Sequence, residues 1–312
     1  MSALGDIVFI SRAGEFAFSN PVSILTATRL NEVHPCLQRV AAGVSQGLYA
    51  AGFLTYEAAP AFDAALCAHP SGDLPLVWFG LYRAPAQFRQ SLSGEALAGL
   101  GKASFRVGPW KALVSAATYH QQVRRIRDLI VAGDTYQINY TFPLQADFQG
   151  DTLCWFRQLC ASQQADHCAF IQTGRFHLLS ASPELFFKKD SSKLTTRPMK
   201  GTARRGRWPA EDCQAARSLA KSAKERAENV MIVDVLRNDM GRVSRIGSVE
   251  VARLWELERY PTVWQMTSTV VSQSEASVPA ILAALFPSGS VTGAPKIRAT
   301  EIIRALEPYP RG

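Results

Sequence analysis

Residues 222 to 239 read as one helix whose centre, Val230-Met231-Ile232-Val233, is apolar nearly all the way round. A helix with no polar face at its centre has nothing to offer water there and is expected to be buried. What can bury it is set by the segments on either side. Tyr119, Val123, Ile126 and Ile130 fall at i, i+4, i+7 and i+11, which predicts a second helix, and Gly133 stands where its C-cap belongs. Tyr136, Ile138, Tyr140 and Phe142 then alternate with Gln137, Asn139 and Thr141, the period of a half-buried strand. Further strands are expected at 77–82, at 168–172 with a return over 175–179, at 185–187 and at 194–197, and Pro209 suits the first turn of another helix. Helices and strands mix without a regular βαβ alternation, so the expected class is α+β with largely antiparallel sheets. The small, Gly-rich stretch 91–107 is expected to divide an N-terminal lobe, residues 1–107, from a second portion, 108–312.

The length of 312 residues, with 47% apolar and only 19% charged residues, excludes fibrous and disordered classes and leaves room for one large domain or two ordinary ones. No window reaches the roughly 18 uninterrupted apolar residues of a spanning helix, and Asp6 and Arg12 interrupt the start where a signal peptide would be greasy, so a cytoplasmic, non-membrane protein is expected. The net charge of +8 admits nucleic acid, acidic lipid or a small anionic substrate as partner. The densest basic stretch, 197–207, lacks the heptads, zinc spacing or aromatic motif of a nucleic-acid binder, and a solvated loop explains it as well. Six cysteines without a C-x-x-C pair and five scattered histidines argue against a Cys/His metal site.

Four places could carry chemistry. Glu225 and Glu228 lie three apart, so both point to one side of the helix just ahead of its apolar centre. Such a pair needs neutralising, by a hard cation such as Mg²⁺ or, on spacing alone more simply, by Lys221, Lys224 and Arg226. Lys200 follows Pro198 at the end of a strand, near Arg197 and Arg204; a desolvated lysine beside other cations has a lowered pKa and can act as a nucleophile. Glu184 follows Pro183, and burial against Phe186 and Phe187 would raise its pKa toward that of a general acid. The segment Gly289 to Lys296 has three residues between its glycines and no Gly-Lys pair, so it is no phosphate loop. It keeps small residues and free N–H groups ahead of a helix, which suits a carboxylate.

Six segments in order, GDTYQINYT (133–141), SPELFF (182–187), TRPMKGT (196–202), KERAENVMIVDVLRND (224–239), ERYPTVWQMTSTV (258–270) and FPSGSVTGAPKIRATEII (286–303), resemble the chorismate-utilising enzymes, in particular their aminodeoxychorismate synthase branch. GFLTYEAAPAFD (52–63) is similar to the N-terminal lobe of the same proteins. The resemblance implies two lobes of largely antiparallel sheet packed face to face with helices outside. It further implies that Lys200 attacks carbon 2 of chorismate to give a covalent intermediate, to which ammonia from a glutamine amidotransferase partner adds at carbon 4. Glu184 matches the general acid for the departing hydroxyl, Glu228 and more weakly Glu225 match Mg²⁺ ligands, and Ser290, Thr292 and Gly293 match the loop that holds a chorismate carboxylate. Anthranilate synthases carry alanine at the position of Lys200, which argues against that branch; an anthranilate or isochorismate-type enzyme and a non-catalytic, partner-binding remnant are the alternatives. Where many relatives have a His-His pair, this chain has Trp264-Gln265, so no catalytic histidine is expected. The family pattern continues past Gly312, so the chain is expected to be a C-terminally incomplete and inactive portion.

Overall fold

A computed structural model describes residues 4–85, 87–90 and 104–312. Three larger sheets organise it, every pairing within them antiparallel. In the first, Val77–Tyr82 runs between Ser23–Ala27 and Tyr49–Leu54. The aromatic and β-branched run at 77–82 is buried along nearly its whole length, as a central strand requires. The helix Leu30–Ser45 covers this sheet through Val33, Leu37 and Val40, and Leu282, far along the chain, completes the cluster.

The second sheet has the order His177–Ser182, His167–Gln172, Ile7–Ser11, Gly14–Phe18, Gln87–Gln90. Val8 stands opposite Phe170, so the portions expected on either side of residue 107 share a sheet. Of the expected dividing stretch, residues 91–103 lie outside the described residues; Phe105–Val107 pairs with Phe148–Gly150.

The third sheet is built on the eleven-residue strand Val263–Gln273. Glu250–Arg259 lines one side of it, and on the other Lys193–Arg197 and Met199–Arg204 follow one another end to end. The helix Ala223–Gly241 lies on this sheet, and Ser222 caps it by accepting the Glu225 amide. Ile232, Val233 and Leu236 are buried as expected, as is Met240 just past the expected end, but Val230 and Met231 are only half-buried and line a hollow of about 810 Å³ beside Trp255 and Lys296. The sheet covers one side of the helix and leaves the other open.

Two sequence expectations change. The helix Ala116–Val131 forms, but of its four periodic apolar residues only Ile126 is buried, while Tyr119 and Ile130 are exposed. Gly133 follows it with φ +79°, its amide donating to the Ile130 carbonyl. The alternation at 136–142 yields only a two-residue strand, Gln137–Ile138, paired with Gly293–Ala294; Tyr136 is 69% exposed. The Tyr136 and Asn139 amides donate to the Ala294 and Thr292 carbonyls, so this is extended chain against a loop instead of a strand inside a sheet. The class is α+β, as expected. No described helix is long and apolar enough to cross a membrane.

Candidate active site

Pro198 separates the two strands that follow one another along Val263–Gln273, because its ring nitrogen cannot donate to the ladder. Past it, the register shifts between Met199 and Thr202, and this bulge carries Lys200 and Gly201. Gly201 has φ +102°, and a Cβ there would lie 3.1 Å from Met266 and 3.2 Å from Glu225, so helix and strand approach closely over it. Asn229, fully buried on the helix, straps the same point: its amide donates to the Lys200 and Met266 carbonyls at 3.3 and 3.4 Å, and its oxygen accepts the Ser268 hydroxyl. From that anchored backbone the Lys200 amine reaches across to donate to the Ser290 carbonyl at 2.7 Å. Burial holds the amine below the ordinary lysine range, with Glu184 and Glu228 pulling the other way. The expected neighbours Arg197 and Arg204 do not supply this shift: Arg197 pairs with Glu258, and Arg204 is exposed.

Glu184 sits in the turn after Pro183, its amide donating to the Ser182 hydroxyl at 3.2 Å. Burial pushes its carboxyl above the usual range, opposed by the Ser290 hydroxyl, the Lys200 charge and the Met199 amide. Residue 290 accepts the lysine on its carbonyl and shares a cavity wall with the glutamate. A cavity of about 290 Å³ opens beside them, lined by Leu54, Tyr56, Glu184, Phe286, Ser288 and Ser290. Ser290 is the residue of the 290–293 trio that faces it together with Glu184. Thr292 is fully buried, its hydroxyl donating to the Ser288 carbonyl at 2.9 Å. Gly293 has φ +151°, and a Cβ there would stand 2.0 Å from the Gln137 carbonyl, so this glycine lets two backbones meet.

Glu225 and Glu228 both converge on Lys224, at 3.6 and 3.7 Å, and that lysine is 77% exposed. Of the three cations expected to neutralise the pair, Arg226 instead lies 4.5 Å over the Trp255 ring. Two carboxylates one turn apart, joined loosely by one solvated ammonium, could hold a hard cation that takes its remaining ligands from water and substrate. No group of three or more His, Cys, Asp or Glu side chains with metal-binding geometry occurs among the described residues.

Three features of the site escape a reading of the sequence. Asn229 next to an apolar run is a visible anomaly, since a polar group there must find partners. Ser288 gives no signal of its own. Lys296 donates to Asp239 at 2.6 Å, both nearly buried, and so ties the end of the Glu228 helix to the loop that carries Ser290; 57 residues separate the two. Trp264 and Gln265 serve the sheet: the indole donates to Asp212 at 2.9 Å, and Gln265 accepts the Thr202 hydroxyl at 2.9 Å.

The sequence profile of the chorismate binding enzymes matches residues 2–312. The chain is similar to aminodeoxychorismate synthase component 1 of Escherichia coli strain K12, 43% identical over 204 residues that cover 65% of this chain and 45% of that protein. It is also similar to anthranilate synthase component 1 of Streptomyces coelicolor, 39% identical over 236 residues, 74% of this chain and 46% of that one. The matches thus span about half the length of these relatives. Among solved structures, anthranilate synthase component I of Streptococcus pneumoniae superposes with a TM-score of 0.78 at 24% identity, over 100% of this chain and 79% of that one. The menaquinone-specific isochorismate synthase of Escherichia coli gives 0.75 at 14%, over 100% and 74%. With the profile covering nearly its whole length and the fold shared throughout, the chain belongs to the chorismate binding enzyme family.

Proposed function

We propose that this chain carries the chorismate-aminating site of an aminodeoxychorismate synthase component I, in which Lys200 is the nucleophile. The observation that carries this reading is the partly desolvated Lys200 amine held on the Ser290 carbonyl, with Ser290 and the buried Glu184 carboxyl lining one cavity. A lysine whose pKa is lowered offers more free amine at neutral pH, and a glutamic acid whose pKa is raised keeps more of its proton. In this reading the Lys200 amine bonds to carbon 2 of chorismate while the hydroxyl at carbon 4 leaves as water with a proton from Glu184. Ammonia then bonds to carbon 4 as the bond to Lys200 breaks and the amine is restored. A glutamine amidotransferase partner supplies the ammonia. The similarity to proteins named component 1 supports a second component. Glu228 and Glu225 would hold Mg²⁺, which when bound neutralises a substrate carboxylate.

The test is mass spectrometry of the protein after incubation with chorismate and Mg²⁺, followed by peptide mapping. An adduct on Lys200 is expected, and none in Lys200→Ala. Aminated product formed at an undiminished rate by Lys200→Ala would overturn the assignment.

A further inference from the structure

The bulge that carries Lys200 rests on a polar network between the helix Ala223–Gly241 and the strand Val263–Gln273. Two of its members, Asn229 and Ser268, are fully buried. The Ser268 amide donates to the Pro198 carbonyl at 3.2 Å, and its hydroxyl accepts the Trp255 amide at 3.1 Å. Trp255 lies in the irregular stretch of the neighbouring strand with φ +59°, a conformation that a bulky residue keeps only where its surroundings hold it. A hydroxyl has one proton to give, and the Ser268 proton goes to the Asn229 side-chain oxygen. That bond decides which way round the Asn229 amide lies. With the oxygen committed to Ser268, the nitrogen faces the Lys200 and Met266 carbonyls, at 3.3 and 3.4 Å, with one proton for each. Turned over, the amide would set its oxygen against two carbonyl oxygens, a cost that burial magnifies.

We infer that Ser268 and Asn229 are positioning residues for Lys200: the serine orients the asparagine amide, and the amide holds the Lys200 carbonyl in the bulge so that the side chain leaves it toward Ser290. This rests on the reading of Lys200 as the nucleophile of the proposed reaction and adds to it the pair that places that nucleophile. Glu228 directly precedes Asn229, so the same strap fixes the helix that offers the carboxylates against the strand that offers the amine. Ser268 reaches Lys200 through Asn229, and its effect therefore depends on the asparagine being present.

The experiment is trace acetylation of the whole chain with acetic anhydride, each lysine being read by peptide mapping and mass spectrometry. Exposed Lys224 reports a free amine and buried Lys296 a folded interior; Lys200, half-buried on the Ser290 carbonyl, is expected between them. Ser268→Ala is expected to raise Lys200 labelling relative to Lys224 about fivefold, the population change that goes with losing one hydrogen bond of ordinary strength, while Lys296 stays protected. Asn229→Leu, similar in shape with no proton to give, is expected to do the same. Ser268→Ala placed on top of Asn229→Leu should add nothing, because the serine acts through the asparagine. Ser272→Ala removes an equally buried hydroxyl from the same strand, bonded to Ser244, and should leave Lys200 unchanged. Lys200 labelling that does not rise in a folded single variant, effects that add in the double, or an equal rise in Ser272→Ala would overturn the inference. The labelling needs no chorismate. A normal Lys200 adduct with unmoved labelling would therefore defeat the role of the pair alone, whereas the expected labelling without an adduct would defeat the proposed reaction alone.

Discussion

Replacing Lys296 by methionine tests how the two halves of the site are held together. The Lys296 amine lies 2.6 Å from Asp239, with side chains 13% and 7% exposed, and donates also to the Leu285 carbonyl at 3.2 Å. Burial pushes the Asp239 carboxyl up and the Lys296 amine down, and their attraction opposes both shifts. At an effective dielectric of about 20, two charges at that separation attract by about 6 kcal/mol, which roughly offsets several kcal/mol of lost hydration for each ion. The intact pair is therefore worth little over an apolar pair, while a single loss strands a buried charge. Lys296→Met is expected to cost about 3–5 kcal/mol, and Lys296→Met with Asp239→Leu clearly less than Lys296→Met alone. The deficit should also depend on pH. In Lys296→Met the Asp239 carboxyl keeps its burial and loses its nearest cation, with the Arg242 charge alone left to oppose the rise, so its folded pKa stands above the unfolded value. Stability from such a group is present below the unfolded pKa and lost as pH rises through the folded one, so the deficit is smaller at pH 5 than at pH 8. Urea unfolding at both pH values, with m unchanged, reads these differences. A single-mutant cost below about 1 kcal/mol, a double mutant no better than the single, or a deficit that grows toward acid would refute the reasoning.

Other outcomes follow from the same geometry. Gly293→Ala places a methyl group 2.0 Å from the Gln137 carbonyl at a left-handed φ and is expected to lose about 3 kcal/mol or more, whereas Gly241→Ala, with nothing within 4 Å of its Cβ, should be neutral or slightly stabilising; thermal melts of the two distinguish them. Glu228→Gln keeps the shape but removes the charge offered to a cation, and should weaken Mg²⁺-dependent chorismate binding by about tenfold; an identical Mg²⁺ titration would show that Glu228 is only a helix-surface carboxylate.

How far the site could be read in advance differs from residue to residue. The bulge that aims Lys200 has a sequence signature, because Pro198 and Gly201 mark where a ladder must break. The pKa shift expected at Lys200 has the right direction, and of the two causes expected for it desolvation acts while the adjacent arginines do not; the arginines are visible in the chain, but burial is a property of everything packed around the amine. Glu184 was legible as a turn carboxylate ahead of aromatics, yet Ser290, which lines the same cavity, comes from more than a hundred residues later.

By itself the sequence determined what depends on near neighbours along the chain. Helix periodicity, the Ser222 cap, the Pro209 start and the Gly133 stop are set by local sterics and by hydrogen bonds within a turn or two. The tertiary structure alone decided which faces meet. The run at 230–233 specified apolar contact without saying that Ile232 and Val233 would be buried, Val233 against Leu194 and Val270 of the sheet, and that Val230 and Met231 would be left beside a hollow. Alternation at 136–142 likewise specified extended chain without saying that its partner would be the loop at 291–294. Desolvation, and every contact among Lys200, Glu184, Ser290, Asn229 and the Lys296–Asp239 pair, depends on segments distant in sequence arriving at one place, and local pattern carries no information about that arrival.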